Sequence, residues 1–242
     1  MSIKVQALNG GLKTMRAKLL IFAVLVSAAA LPVSLFAQVA EVNPYGGFYW
    51  PGSPALSPNS VGDFQNNQLL GVRGGYYIDS SIEIGGNYGW SNHFQPKSSD
   101  VASGLAGAAG LPQGKVRANI WEAEFSYNFG KHSAFGYSVK PYAVAGAGGL
   151  TTRVSSSGFV LNTRSVTLPS GNTVLVANDV LRSNDTFFAF SYGGGLKAER
   201  LWGPMGVFGD FRGRTIPNFF SKSFTWPEIS AGLTFSWGEQ HP

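Results

Sequence analysis

Apolar and polar residues alternate with a period of two in many segments of this chain. Residues 120–130 read IWEAEFSYNFG, in which Glu122 and Glu124 alternate with Trp121, Ala123 and Phe125. Because successive side chains of a β-strand point to opposite faces, this pattern predicts a strand with one polar face and one apolar face. The alternation alone does not say which face points inward.

Eight such segments follow one another along the chain, and each has about ten residues or slightly more, the length that a tilted strand needs to cross a bilayer. They are residues 42–50, 69–78, 81–94, 118–129, 140–151, 187–200, 205–214 and 228–237.

The connections between these segments alternate in length. Residues 79–80, 130–139 and 201–204 form short connections, whereas 51–68, 95–117, 152–186 and 215–227 are long and rich in Gly, Ser, Asn and Pro. This alternation predicts an up-and-down antiparallel meander with short turns at one end and long loops at the other. The longest loop contains SVTLPSGNTVLVAN, which predicts a hairpin turning at residues 170–172 that extends two strands beyond the membrane.

The scarcity of charge favours a membrane barrel over a soluble one. Only 13% of the residues are charged, too few to cover the exterior of a soluble barrel. We therefore predict an all-β fold, an eight-stranded antiparallel up-and-down transmembrane β-barrel with its apolar faces in lipid and its glutamates inside. A soluble periplasmic barrel, with the apolar face lining a ligand pocket, is the alternative.

Two sets of side chains follow from this orientation. The polar faces carry nine charged residues, which we expect to pair across the narrow interior of the barrel. These residues are Arg73, Glu83, Glu122, Glu124, Lys197, Glu199, Asp210, Arg212 and Arg214. Aromatic residues near strand ends are expected to form interfacial belts. They are Trp50, Trp90, Phe94, Phe129, Trp202 and Trp237.

The N-terminal region has the features of a cleaved signal peptide. Arg16 and Lys18 precede an apolar run that ends in small residues at Ala37. Residues 1–37 are therefore predicted to be a signal peptide, with Met15 as an alternative start, and residues 38–242 a single barrel domain. Because four cations and no acid precede residue 38, the net charge of +5 falls to nearly zero in the mature chain, which argues against a nucleic-acid partner.

The combination of a signal peptide, alternating strands, unequal loops and a last strand reading EISAGLTFSW resembles the small eight-stranded outer-membrane barrels of Gram-negative bacteria. That class includes the transmembrane domain of outer membrane protein A and the opacity-type, porin-like surface proteins. The resemblance covers residues 40–238 and implies short periplasmic turns, long extracellular loops, insertion by the barrel-assembly machinery, and contact with outer-membrane lipid and lipopolysaccharide. Residues 238–242 depart from the family, whose chains normally end at the aromatic residue.

Candidate chemistry is sparse. The chain has no cysteine, and its three histidines, His93, His132 and His241, show no triad or metal-ligand spacing, so we expect no catalytic residue, metal or cofactor. The sequence predicts a monomeric structural or surface-interaction protein, with charged side chains plugging the lumen and an unknown partner for its extracellular loops. A narrow passive pore is the alternative, and a lipid-modifying enzyme that uses His93 is a more distant one.

Overall fold

The computed structural model describes residues 39–51, 64–96, 115–134, 137–155 and 158–238, which form eleven strands. The predicted signal peptide lies outside these residues. The strands are β1 (Ala40–Tyr49), β2 (Asn67–Tyr77), β3 (Ile82–Ser91), β4 (Val116–Asn128), β5 (His132–Ala134), β6 (Tyr137–Val154), β7 (Phe159–Thr167), β8 (Thr173–Leu181), β9 (Thr186–Trp202), β10 (Met205–Phe219) and β11 (Lys222–Trp237).

Eight of these strands close into a barrel. Neighbouring strands pair antiparallel in the order β1, β2, β3, β4, β6, β9, β10 and β11. The ring closes where β1 pairs with β11, from Ala40 opposite Trp237 to Tyr49 opposite Glu228. The predicted eight-stranded antiparallel architecture is confirmed. The described residues contain no helix long and apolar enough to span a membrane.

The predicted loop at residues 215–227 is wrong in its secondary structure. Strands β10 and β11 continue as a hairpin to Phe219 opposite Lys222, and Phe220 and Ser221 form the tight turn with φ angles of 50° and 66°. Pro217, which suggested a loop, lies at the register irregularity between Ile216 and Phe219, where a missing N–H donor does not interrupt the ladder.

Two short elements lie in the connections. Strands β7 and β8 form the predicted hairpin, with Thr167 opposite Thr173 next to the turn. They pair as a separate two-stranded sheet rather than as an extension of barrel strands. At the opposite end, β5 pairs with the beginning of β6, so the connection after β4 is itself a small hairpin.

The two faces of β4 answer the orientation question raised by its sequence. Trp121 and Phe125 are 49% and 48% exposed on the outside, whereas Glu122 is 5% exposed and points into the barrel. The inward face is polar in the half nearer the short turns and becomes apolar in the half nearer the long loops. A charged layer and an apolar layer are therefore stacked inside one barrel.

Candidate functional site

The barrel interior collects most of the charge of the described residues. All nine predicted lumen residues point inward, and three more charged side chains join them: Glu41, Lys140 and Glu228, each at most 4% exposed. The period of two contained the signal for these three, because they lie two residues before inward Asn43, Tyr142 and Ser230. Glu41 was missed because the predicted first strand began at residue 42, two residues after the start of β1.

One group of ion pairs lies near the short turns. The Lys197 ammonium lies 2.8 Å from a Glu41 carboxylate oxygen and 2.7 Å from one of Glu83, and so links β9 to β1 and β3. Beside it, Lys140 lies 2.7 Å from Glu199, and the Tyr77 hydroxyl donates to Glu199 at 3.2 Å. Lys140 and Glu199 lie on the neighbouring strands β6 and β9, whereas the contacts of Lys197 with Glu41 and Glu83, and of Tyr77 with Glu199, join strands that are not neighbours in the sheet and so cross the lumen.

A second group centres on Asp210 at mid-height. Arg73 reaches it from the opposite wall at 2.5 Å, and the Arg212 Nε donates to it at 2.9 Å. Arg212 also pairs with Glu124 on β4. The Tyr142 hydroxyl donates to the same carboxylate at 3.0 Å, so Asp210 accepts hydrogen bonds from three sides.

Arg214 forms the third group and is the most deeply buried of the interior cations, with a side chain that is only 1% exposed. Its Nε and Nη2 donate to the two Glu228 carboxylate oxygens at 2.7 and 3.1 Å, while Nη1 pairs with Glu122. The Ser191 hydroxyl donates to Glu122 at 3.1 Å, and the Trp226 indole N–H donates to Glu228 at 2.9 Å. The guanidinium is therefore fixed between two opposite walls.

Among the described residues, seven interior carboxylates face five cations, and every one of the twelve takes part in at least one ion pair. Shared cations explain the surplus of acids, because Lys197, Arg212 and Arg214 each hold two carboxylates. A cavity of about 20 Å³ remains between the groups, space for about one water molecule. Asn43 Oδ1 and Arg73 Nε, on residues that line this cavity, have no hydrogen-bond partner within the described part of the chain.

An apolar cluster lies over the Arg214 group at the long-loop end. Phe64 packs against Phe94 and Phe224 with ring centroids 4.8 and 5.1 Å apart, and Phe224 packs against Trp226 at 4.9 Å. Phe219 completes the stack, 5.3 Å from Phe224. Sequence reasoning missed this layer because it treated the inward face as polar throughout and assigned residues 215–227 to a loop.

Of the six aromatic residues predicted for the interfacial belts, five are exposed and one is buried. Exposed rings lie at both ends of the barrel: Trp50 and Trp90 near the long loops, and Phe129, Trp202 and Trp237 near the short turns. Phe94 is the exception and corrects the prediction, because it is 2% exposed within the apolar cluster. The period of two fails there because β3 ends at Ser91 and a turn brings Phe94 back over the mouth.

The two described histidines, His93 and His132, lie apart from these layers. His93 is exposed in the turn after β3, where its backbone carbonyl, rather than its ring, accepts hydrogen bonds from Tyr49 and Asn67. His132 is exposed on β5, and His241 lies outside the described residues. No cluster of three potential metal ligands occurs within the part of the chain that the structure describes.

Comparison with known proteins gives a family and several solved structures. Residues 21–224 match the family described as outer membrane protein beta-barrel domain. Neisserial surface protein A is 15% identical, with 83% of this chain and 97% of that chain covered and a TM-score of 0.48.

Two further structures show weaker similarity. For the N-terminal β-barrel domain of OprF from Pseudomonas aeruginosa, identity is 14%, coverage is 81% of this chain and 97% of that chain, and the TM-score is 0.40. Ail, the attachment invasion locus protein of Yersinia pestis, was solved with the heparin analogue sucrose octasulfate. Its identity is 12%, coverage is 82% of this chain and 98% of that chain, and the TM-score is 0.41. No curated protein matches the sequence.

Proposed function

Because the chain belongs to the outer membrane protein β-barrel domain family, and so to the bacterial outer membrane, we propose that it is a structural or surface-interaction protein with a closed lumen. In this proposal the barrel anchors the long loops outside the cell, and solutes do not pass through it. The protein acts as a monomer and carries out no catalysis.

The main support for a closed lumen is the charged layer and the apolar layer that are stacked inside the barrel. An ion that crossed the charged layer would have to separate paired side chains such as Arg214 with Glu122 and Glu228, and each separation would leave a buried charge without a partner. Above this layer, the rings of Phe64 and Phe224 offer no polar atoms to replace the hydration shell of an ion. The two layers thus oppose passage for different physical reasons.

The loop end supplies the surface for interaction. The β7–β8 hairpin is buried near its base, at Phe159 and Leu181, and exposed towards its turn, where Leu168, Val174 and Val176 are accessible. A rigid base with an accessible tip suits recognition of a partner outside the cell. We include lipopolysaccharide and outer-membrane lipid around the barrel, and the assembly machinery during insertion, among its expected partners.

Conductance in planar lipid bilayers tests the closed lumen. The full chain should insert without stable current steps, and the variant with Glu122→Gln and Glu124→Gln should lose stability, because Arg214 and Arg212 lose charged partners, yet remain silent. Asp179→Asn, in the β8 strand of the hairpin, is the matched control and should change neither property.

Stable current steps from the unaltered chain, or raised conductance in the Glu122 and Glu124 double variant, would contradict closure and establish a narrow passive pore. A lipid-modifying activity that disappears in a His93→Ala variant would contradict the noncatalytic proposal.

A further inference from the structure

Two arginines lie directly opposite each other on the outer surface of the barrel. Arg117 on β4 and Arg153 on β6 are cross-strand partners near the long-loop end. Both are exposed and lie on the outward face, as shown by the alternation with buried Val116 and Val154. Two like charges at opposed positions of a sheet destabilise it unless a counter-charge is supplied.

No carboxylate of the described residues lies within ion-pair distance of the two arginines. Neither Arg117 nor Arg153 forms an ion pair within the described part of the chain, in contrast to the twelve paired charges inside the barrel. Lys115 lies next to them and is likewise unpaired there. The three cations line an open groove of about 450 Å³, together with Ser183 and Asn184 of the segment that precedes β9.

The height of the pair along the barrel identifies the environment it faces. Asn119, two residues further along β4, lies opposite Trp90 of β3, one of the exposed rings of the upper belt. Trp121 follows, and its indole N–H donates to the Thr151 hydroxyl at 3.4 Å. With a rise of about 3.3 Å per residue and tilted strands, the arginines lie roughly 5 Å above the Trp90 level, where lipid headgroups begin.

We propose that Arg117, Arg153 and Lys115 form a binding site for the phosphate of a phosphorylated glycolipid in the outer leaflet. Guanidinium groups bind phosphate oxygens in pairs of parallel hydrogen bonds, and two facing guanidiniums can hold one phosphate between them. The acyl chains of the lipid then lie on the apolar strand surface around Trp121. The site rests on the outer-membrane location and not on closure of the lumen.

The test is binding of fluorescent diphosphoryl lipid A to the full chain in detergent micelles. The Arg117→Gln and Arg153→Gln double variant should bind at least roughly tenfold more weakly, as expected for the loss of charge-assisted hydrogen bonds. Arg164→Gln on β7 removes an exposed arginine elsewhere on the loop end, and this matched control should keep the affinity of the unaltered chain. Dephosphorylated lipid A should bind the unaltered chain about as weakly as diphosphoryl lipid A binds the double variant.

Three results would overturn the site. The first is a double variant that binds diphosphoryl lipid A as tightly as the unaltered chain does. The second is an unaltered chain that binds dephosphorylated and diphosphoryl lipid A equally well, and the third is an Arg164→Gln control that loses as much affinity as the double variant. Displacement of lipid A by an equal concentration of inorganic phosphate would assign the groove to free phosphate and overturn the lipid assignment. Heat-dependent gel mobility verifies that the double variant is folded, and bilayer conductance tests the closed lumen independently of this site.

Discussion

Replacing Arg214 by Met tests whether the interior ion pairs hold the barrel together. Methionine retains much of the length of arginine but removes its charge. It leaves Glu122 with the Ser191 hydroxyl and the Asn87 amide, and Glu228 with the Trp226 indole. Because the removal of one partner from a buried ion pair costs about 3–5 kcal/mol, and this cation serves two carboxylates, we expect a loss at or above that range in the free energy of unfolding.

The assay is equilibrium unfolding in urea of the barrel folded into lipid vesicles, followed by tryptophan fluorescence. Arg164→Met makes the same chemical change at an exposed position of β7, where the side chain forms no ion pair with any described residue, and should stay within about 0.5 kcal/mol of the unaltered protein.

A triple variant separates the loss of charge balance from the loss of packing. Adding Glu122→Gln and Glu228→Gln to Arg214→Met removes the two unpaired carboxylates, so most of the lost stability should return. An Arg214→Met variant that loses less than about 1 kcal/mol, or a triple variant that is no more stable than Arg214→Met alone, would show that these ion pairs do not hold the barrel together.

The remaining predictions concern the apolar layer, the barrel wall and the lipid face. Trp226→Ala should lower the free energy of unfolding by about 3–5 kcal/mol, because it empties a fully buried ring site, and a loss within about 1 kcal/mol in urea unfolding would contradict the apolar layer. Gly148→Ala should prevent folding or destabilise the barrel strongly, since a Cβ there would lie 1.9 Å from the Trp121 carbonyl oxygen. Gly74 faces outward and a Cβ there would have no neighbour within 3.8 Å, so the Gly74→Ala control should fold normally. Equal heat-dependent gel shifts for the two variants would refute this effect of the close contact at Gly148. Phe125→Arg should cost about 2–4 kcal/mol in vesicle unfolding if this position faces the middle of the bilayer, and a neutral effect would place it elsewhere.

Much of the fold was accessible from the sequence because a β-strand imposes its period of two locally. The alternation in IWEAEFSYNFG assigned Trp121 and Phe125 to one face and Glu122 to the other, and the structure agrees. The strand count and the antiparallel order followed from the spacing of such segments. Strand ends were less accurate, and a start placed two residues too late in the first strand left Glu41 out of the predicted charged interior.

The charged interior was predicted as a set of residues but not as a set of contacts. Whether a side chain points inward depends on its neighbours along the strand, so the alternation of apolar and polar residues predicts it. Partners depend on the stagger between strands that are distant in sequence, such as Arg73 with Asp210, 137 positions apart. No local pattern contains that stagger, so the pairing was known only once the sheet had closed.

The apolar layer likewise depends on contacts that no local sequence pattern contains. Ile216, Phe219 and Phe224 belong to a continuing strand pair, but Pro217 and the polar residues around it resembled a loop. Phe94 leaves its strand and packs over the mouth, where rings from three other segments surround it. The sequence by itself determined the number of barrel strands, the faces of most of their residues and the membrane environment, because these follow from backbone geometry and the cost of burying polar groups in lipid. The tertiary structure alone decided which charges pair and what covers them, because barrel closure brings together side chains that are remote along the chain.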